Sequence, residues 1–522
     1  MMNHPSTALR WPDQSGPWTR ISRPFRLAFF SACLIGTITH LYLFTNLLLN
    51  HDSTNSLFTD NDVLSLGRWS LKYLSAFSSD FQLPVVIGVI SIVMLALTAG
   101  LTVRILHITN RVNIVLTAAL LVTYPSVASI FSYLFTADAY FIALFFCALG
   151  VWCAQRYRWG WAAAIALITV ACGTYQAFVC YAIGLFLFDC LIRLLEGEAI
   201  PQVVARGVRY VLICVISLVL YYVVLQVMLA VTGTALDDYQ GVGGIGLSSI
   251  AAFLAQIPKA WLLFGARFFD PGYLSPLQQV LLALYCLFFA GLGLYLIWVR
   301  KLYRDLPRLL LILAGLLLIP LALDFIAVLA LEATVHSLMT YSFVLFLVLI
   351  LKASELAAAE LLPAGGRKGA LVFFANLALC AALVWGNFCV TNIAYLRMQV
   401  RYETSYAVAN RVMARIESLE GYTPDTPVAI AGILPSGQYG TGVGDFARID
   451  GLTGVEDNAL LGTYAASVFL KTYTGLHMPG LTDEQWLMVY QSGILDTMPS
   501  YPAEGSIILH NGVVIVKLSE MA

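Results

Sequence analysis

The sequence predicts a mainly α-helical, polytopic transmembrane bundle with a small α/β domain at its C-terminal end. Three observations predict it. Of 522 residues, 60% are apolar and only 11% charged, and the mean hydropathy of +0.81 is far too high for a water-soluble globule. Apolar runs of membrane-crossing length recur along the chain. Lysine and arginine gather in every second connection between those runs.

A helix needs about 20 apolar residues to cross about 30 Å of hydrocarbon. Eleven runs qualify, near 27–49, 83–103, 112–131, 138–154, 160–173, 177–192, 208–231, 277–299, 309–331, 335–351 and 370–391. The first follows Arg10, Arg20, Arg23 and Arg26 and has no small-residue cleavage site, so it reads as a retained span and not a signal peptide. The fifth and sixth are short and separated only by Gly173, Thr174, Tyr175 and Gln176, which fits either a re-entrant hairpin or one kinked element. The segments 1–26, 104–111, 155–159, 193–207, 300–308 and 352–369 then share one side. They hold seventeen Lys and Arg, and Arg209 two residues beyond makes eighteen. The opposite short loops hold four, Arg68, Lys72, Lys259 and Arg267. This asymmetry puts the N-terminus in the cytoplasm and the C-terminus outside. An odd number of spans is required, which nine or thirteen would also satisfy.

Two exterior segments, 50–82 and 232–276, are longer than a connection needs to be, and an exterior region of about 130 residues follows the last span. The expected division is a cytoplasmic segment 1–26, a transmembrane domain 27–391 and an extracytoplasmic α/β domain 392–522. Within the last, 402–420 reads as an amphipathic helix with Val408, Val412, Ile416 and Leu419 on one stripe and Gly421 as its stop. Residues 428–434 read as a strand, and 506–510 with 513–518 as a hairpin around Asn511-Gly512. Thr482 to Gln485 reads as a capping box opening a further helix.

A net charge of -1 with dispersed basic residues gives no reason to expect nucleic acid as a partner. All ten cysteines lie in or beside apolar runs, so neither a disulfide framework nor a metal cluster is expected.

The segment 51–82 concentrates Asp52, Asp60, Asp62, Arg68, Lys72 and Asp80 in a chain poor in charge. Asp60-Asn61-Asp62 followed by Gly67-Arg68-Trp69 suits a site that activates a hydroxyl and neutralises a phosphate, because a carboxylate takes the proton and a guanidinium holds the phosphate oxygens. A loop whose charges only keep it in water, with Trp69 and Tyr73 as interfacial anchors, accounts for the same composition. Asp138 stands at the exterior end of a span, where it faces a cavity or simply favours the helix dipole. Tyr175 and Gln176 occupy a helix break, where they bond a sugar or cap the break. Asp324 lies inside the ninth run, where a carboxylate costs about 2.5–3.5 kcal/mol and therefore needs a partner or a hydrated cavity. His336 is the expected partner. Asp189 is expected to pair with Arg193 one turn on. The glycines of 241–246 spell GxGxxG, but no strand precedes them, so they read as a hinge into a helix lying on the membrane, not as a cofactor loop. Arg267 near that helix's end is placed to meet a lipid phosphate.

These features together resemble a family. The first loop with its paired acids and Gly67-Arg68-Trp69, the run Thr136-Ala137-Asp138-Ala139-Tyr140, the Tyr175-Gln176 break and the exterior C-terminal domain resemble the type II, O-antigen-modifying, serotype-converting branch of the bacterial Gtr-type glucosyltransferases, most clearly over 50–195. That family is grouped with membrane-embedded GT-C glycosyltransferases. The resemblance implies a polyprenyl-phosphate glucose donor, a growing lipid-linked surface polysaccharide as acceptor, and a bacterial cytoplasmic membrane with the chemistry on its periplasmic face. It makes Asp60 or Asp62 the general base, with Arg68 and Lys72 or Arg267 on the leaving phosphate. Asp138, Tyr175, Gln176, Asp324 and His336 are the candidate substrate contacts. No cofactor is implied, and a divalent metal is not required, although the acids can bind one. The alternative is a transporter or flippase of a lipid-linked sugar, which places charges along the membrane midplane, as only Asp324 does.

Overall fold

Prolines open several of the helices, among them those beginning at Pro84, Pro125 and Pro276. The computed structural model describes residues 21–54, 57–237, 250–329, 334–361, 367–434, 449–456, 460–461, 466–475 and 478–520. Arg10, Arg20, the run Asp238 to Gln240 and the glycines of 241–246 lie outside them.

The first helix, α1 (Arg23–Thr45), ends in the long loop that holds the short α2 (Leu71–Ser75) and leads to α3 (Pro84–Ile105). Then come α4 (Arg111–Thr123), α5 (Pro125–Ser132), α6 (Leu134–Arg156), α7 (Gly160–Thr174), α8 (Val179–Glu196) and α9 (Ile200–Thr232). Pro125 separates α4 from α5, because proline forces extended backbone on Tyr124 before it. Small residues let the helices approach: Gly88 of α3 lies under the Phe44 ring, and Gly100 under Phe25. Helices α1, α3, α4, α6 and α8 share one continuous apolar core.

After α10 (Ile250–Phe268) and α11 (Pro276–Val299) the ninth apolar run departs from expectation. It is not one helix but three short ones, α12 (Leu306–Leu317), α13 (Ile319–Leu323) and α14 (Ile326–Leu329). Pro320 opens α13 just after the first break, and at the second the backbone at Asp324 leaves helical geometry. A 3-10 turn, Ser337–Phe343, then opens α15 (Val344–Leu361). Among the described residues, nine helices are long and apolar enough to cross a membrane, and α7 and α12 are shorter apolar helices. Such helices fit a membrane protein.

The last long helix also departs from expectation. The runs 370–391 and 402–420 belong to a single helix of 51 residues, α16 (Arg367–Glu417). At 1.5 Å per residue it is about 76 Å long, far more than a bilayer needs. Its apolar stripe changes partner along the way: the first half packs on the bundle, while Val408, Val412 and Ile416 enter a second core. That core belongs to a three-stranded sheet, β1 (Val428–Ala431), β2 (Ile507–His510) and β3 (Val513–Lys517), in the order β1-β3-β2. The β2–β3 hairpin turns at Asn511-Gly512, both with positive φ, as an Asn-Gly turn requires. Strand alternation splits the central strand between two layers: Val514 and Val516 face α16, while Val513 and Ile515 face the helix Asp483–Gln491. The capping box read at Thr482 is present, with Thr482 and Gln485 bonding reciprocally.

Candidate active site

The helix ends converge on a cavity of about 860 Å³. The loop between α1 and α3 supplies His51, Asp52, Asn61 and Arg68. The start of α6 and the α7–α8 break supply Tyr140 and Tyr175, Asp237 follows α9, His336 precedes the 3-10 turn, and Thr453 and Glu456 come from the C-terminal region. A cavity of this size, with aromatic walls and a few charged groups, suits a small ligand.

Each polar group is placed by local chemistry. Gly67 has φ +76°, and a β-carbon there would lie 2.8 Å from the Tyr221 hydroxyl and 3.0 Å from Gln176 Nε2, so both backbone and space require glycine. Gln176 Nε2 donates to the Tyr221 hydroxyl (2.9 Å), which donates to the Gly67 carbonyl (3.0 Å). Trp69 lies against Gly173, and the Ser70 amide donates to the Gly173 carbonyl (2.9 Å). Between these two anchors Arg68 is held over the Tyr175 ring, with Cζ 4.7 Å from the centroid, and donates to the Tyr140 hydroxyl (3.2 Å). Tyr140 and Tyr175 stack with centroids 4.8 Å apart. Gly67-Arg68-Trp69, the Thr136 to Tyr140 run and the Tyr175-Gln176 break, separate in sequence, therefore meet around one guanidinium.

A sequence model of the family described as Glucosyl transferase GtrII matches residues 41–347. The chain belongs to the GtrII glucosyl transferase family. Membership makes the protein a glycosyltransferase, and the matched GtrII region runs from α1 into α15, through all the cavity residues except Thr453 and Glu456. No curated protein and no solved structure matches the chain.

The structure separates the residues expected from the sequence. Arg68, Tyr175 and His336 line the GtrII cavity. Gln176 lies behind it, under Gly67. Asp138 is fully buried, one turn inside α6 because that helix begins at Leu134, and its carboxylate accepts from the Ala139 amide (2.9 Å). Asp60 and Asp62 stand outside the cavity and both bind Lys72, at 3.3 and 2.9 Å. The reason is Asn61 between them. Its side chain is buried and donates to the Phe135 carbonyl (2.8 Å), which turns its two neighbours away from the wall. The Asp62 amide and then Lys72 hold the Asp60 carboxyl below the usual range, and the carboxylates of Asp62 and Asp60 raise Lys72.

Asp324 pairs with Arg267 at 2.6 Å and not with the expected His336. Helix α10 packs along α13 and α14 and so delivers Arg267 to the break that frees Asp324. Asp189 pairs with Arg193 at 2.8 Å as expected, and also accepts from the Tyr210 hydroxyl (2.8 Å). Among the described residues no group of His, Cys, Asp and Glu is placed to hold a metal ion.

Three carboxylates line the cavity, Asp52, Asp237 and Glu456. Asp52 lies 3.6 Å from His51 in a tight turn, where the Asn50 side chain accepts from the Ser53 amide (2.7 Å). The asparagine–serine spacing of that turn is legible in the sequence. Nothing local marks Glu456.

Proposed function

We propose that the protein moves a glucosyl group from a polyprenyl-phosphate donor to a lipid-linked surface polysaccharide such as O-antigen, at the periplasmic face of a bacterial cytoplasmic membrane, as a GT-C-type inverting enzyme. The observation that carries this reading is the placing of a guanidinium and several carboxylates in one aromatic cavity at the helix ends of a GtrII protein. The donor has a lipid tail, a phosphate and a sugar. Its tail needs apolar surface between helices, its phosphate a cation at the helix ends, and its sugar a cavity with stacking rings and hydrogen-bonding groups.

In this reading Asp52 takes the base role that the family resemblance implies for Asp60 or Asp62. Its carboxylate accepts the proton of an acceptor hydroxyl, whose oxygen bonds to the anomeric carbon on the face opposite the phosphate. The bond from that carbon to the phosphate oxygen breaks, and polyprenyl phosphate leaves with the electron pair. Arg68, fixed over Tyr175, stabilises the charge on the departing phosphate. Tyr140 and Tyr175, stacked on each other under Arg68, support the guanidinium from below, and His336 also lines the cavity. Lys72 and Arg267 take no part, since each is engaged by carboxylates away from the cavity. The C-terminal domain meets the acceptor.

The test is transfer itself. Purified protein is given radiolabelled polyprenyl-phosphate glucose and lipid-linked polysaccharide, and label is expected in the polysaccharide. Label that crosses a vesicle membrane without joining any acceptor would instead establish transport of the lipid-linked sugar.

A further inference from the structure

The GtrII match stops at residue 347, yet the cavity is closed by a segment more than a hundred residues further on. Residues 449–456 reach back into the bundle and are fastened at four places. Arg397 of α16 pairs with Asp450. The Gly451 amide donates to the Gly272 carbonyl (3.0 Å). Thr453 and Ser337 bond reciprocally: the Ser337 amide donates to the Thr453 hydroxyl (3.0 Å), and the Thr453 amide to the Ser337 hydroxyl (2.9 Å). The Ser132 hydroxyl donates to the Thr453 carbonyl (3.0 Å). Gly454 has φ +84° and stands so close to Ser132 that a β-carbon would overlap its hydroxyl, at 1.8 Å. A segment held this tightly is part of the wall and not a passing loop.

A further fastening reaches furthest. Arg401, buried in α16, donates from Nη2 to the carbonyls of Leu49 (2.8 Å) and Gly454 (3.1 Å), and from Nη1 to that of Glu456 (2.8 Å). Leu49 precedes the turn that carries Asp52. One guanidinium thus holds the backbone under two cavity carboxylates that lie about four hundred positions apart in the chain. Glu456 spends Oε2 on the Gly454 amide (2.7 Å), which fixes its rotamer while the side chain lines the cavity.

We propose that 449–456 is part of the active site, that the Glu456 carboxylate binds a hydroxyl of the acceptor saccharide, and that Arg401 is a positioning residue that sets Glu456 against Asp52. This rests on the glucosyl-transfer reading, which supplies the saccharide acceptor. A planar fork is needed for the Arg401 role, since a lysine ammonium cannot span three carbonyls on two segments in fixed geometry.

The experiment uses full-length protein in lipid nanodiscs, with radiolabelled polyprenyl-phosphate glucose as donor and delipidated O-polysaccharide as acceptor. Binding of the polysaccharide alone is followed by calorimetry. Glu456→Gln keeps an acceptor atom for the Gly454 amide, so the segment stays in place. It is expected to raise the acceptor KM, and to weaken binding, by about 10- to 100-fold, the loss expected for one hydrogen bond to a charged group. The donor KM should not rise in step. Arg401→Ala is expected to raise the acceptor KM and also lower kcat, because Asp52 shifts with it, and Arg401→Lys should recover only part of either. A folded Glu456→Gln enzyme with wild-type acceptor KM and affinity overturns the assignment. A wild-type protein that neither binds nor glucosylates the polysaccharide overturns the transfer reading beneath it.

Discussion

Two groups of acids in the first loop differ in what they face. Asp60 and Asp62 lie either side of Asn61, whose side chain bonds the Phe135 carbonyl, and they close on Lys72 away from the cavity. Asp52 sits eight positions earlier in a turn tied to Arg401 through Leu49, and it lines the cavity with Arg68 and Glu456. Density of charge along the chain favours the first group. Chemistry needs the second, because a base must lie within hydrogen-bond reach of the hydroxyl it serves.

Substitutions can break or sharpen this contrast. The largest effect is expected at Asp52: Asp52→Asn should lower the transfer rate by about 100- to 10,000-fold, the usual contribution of a general base, with the fold intact by thermal melting. Arg68→Lys follows, at about 100- to 1,000-fold in kcat, because the ammonium can neither stack on Tyr175 nor present a fork to phosphate. At Arg267 the loss is one of stability. Arg267→Ala leaves Asp324 buried without its cation and should cost about 3–5 kcal/mol, read as a lowered melting temperature, whereas replacing both partners by leucine should recover most of it. Smallest of all, Lys72→Met should change transfer by less than about fivefold, as an exposed ion pair allows. The Asp60 carboxyl has a folded pKa below its ordinary value, so the contribution of this cluster is complete at neutral pH and is lost only on acidification through that lowered value. Melting curves of wild type and Lys72→Met should therefore differ near neutrality and converge in acid.

The sequence shows well whatever depends on neighbours along the chain. Helix positions, the Asn511-Gly512 hairpin and the Thr482 cap follow from periodicity and turn chemistry, and Arg68 and Tyr175 are legible because Arg68 stands just before α2 and Tyr175 between α7 and α8, whereas the run 136–140 points to Asp138 and not to Tyr140, which lines the cavity. What depends on long-range packing was hidden. A stripe of apolar residues cannot reveal that α16 continues from one core into another, and the ninth run reads as a span until Pro320 and the Arg267–Asp324 pair break it. Glu456 is hidden for the same reason: Arg401, Ser132 and Ser337 bring its segment to the cavity, and none is near it in sequence.

The central claim is that the acids of the cavity, and not the acids at Lys72, serve the reaction. The most direct test compares two variants in one radiolabelled glucosyl-transfer assay, Asp52→Asn and the double substitution Asp60→Asn with Asp62→Asn. The account predicts that the first loses transfer by at least about 100-fold, while the second stays within about fivefold of wild type. Transfer retained in Asp52→Asn and abolished in the double variant would contradict it.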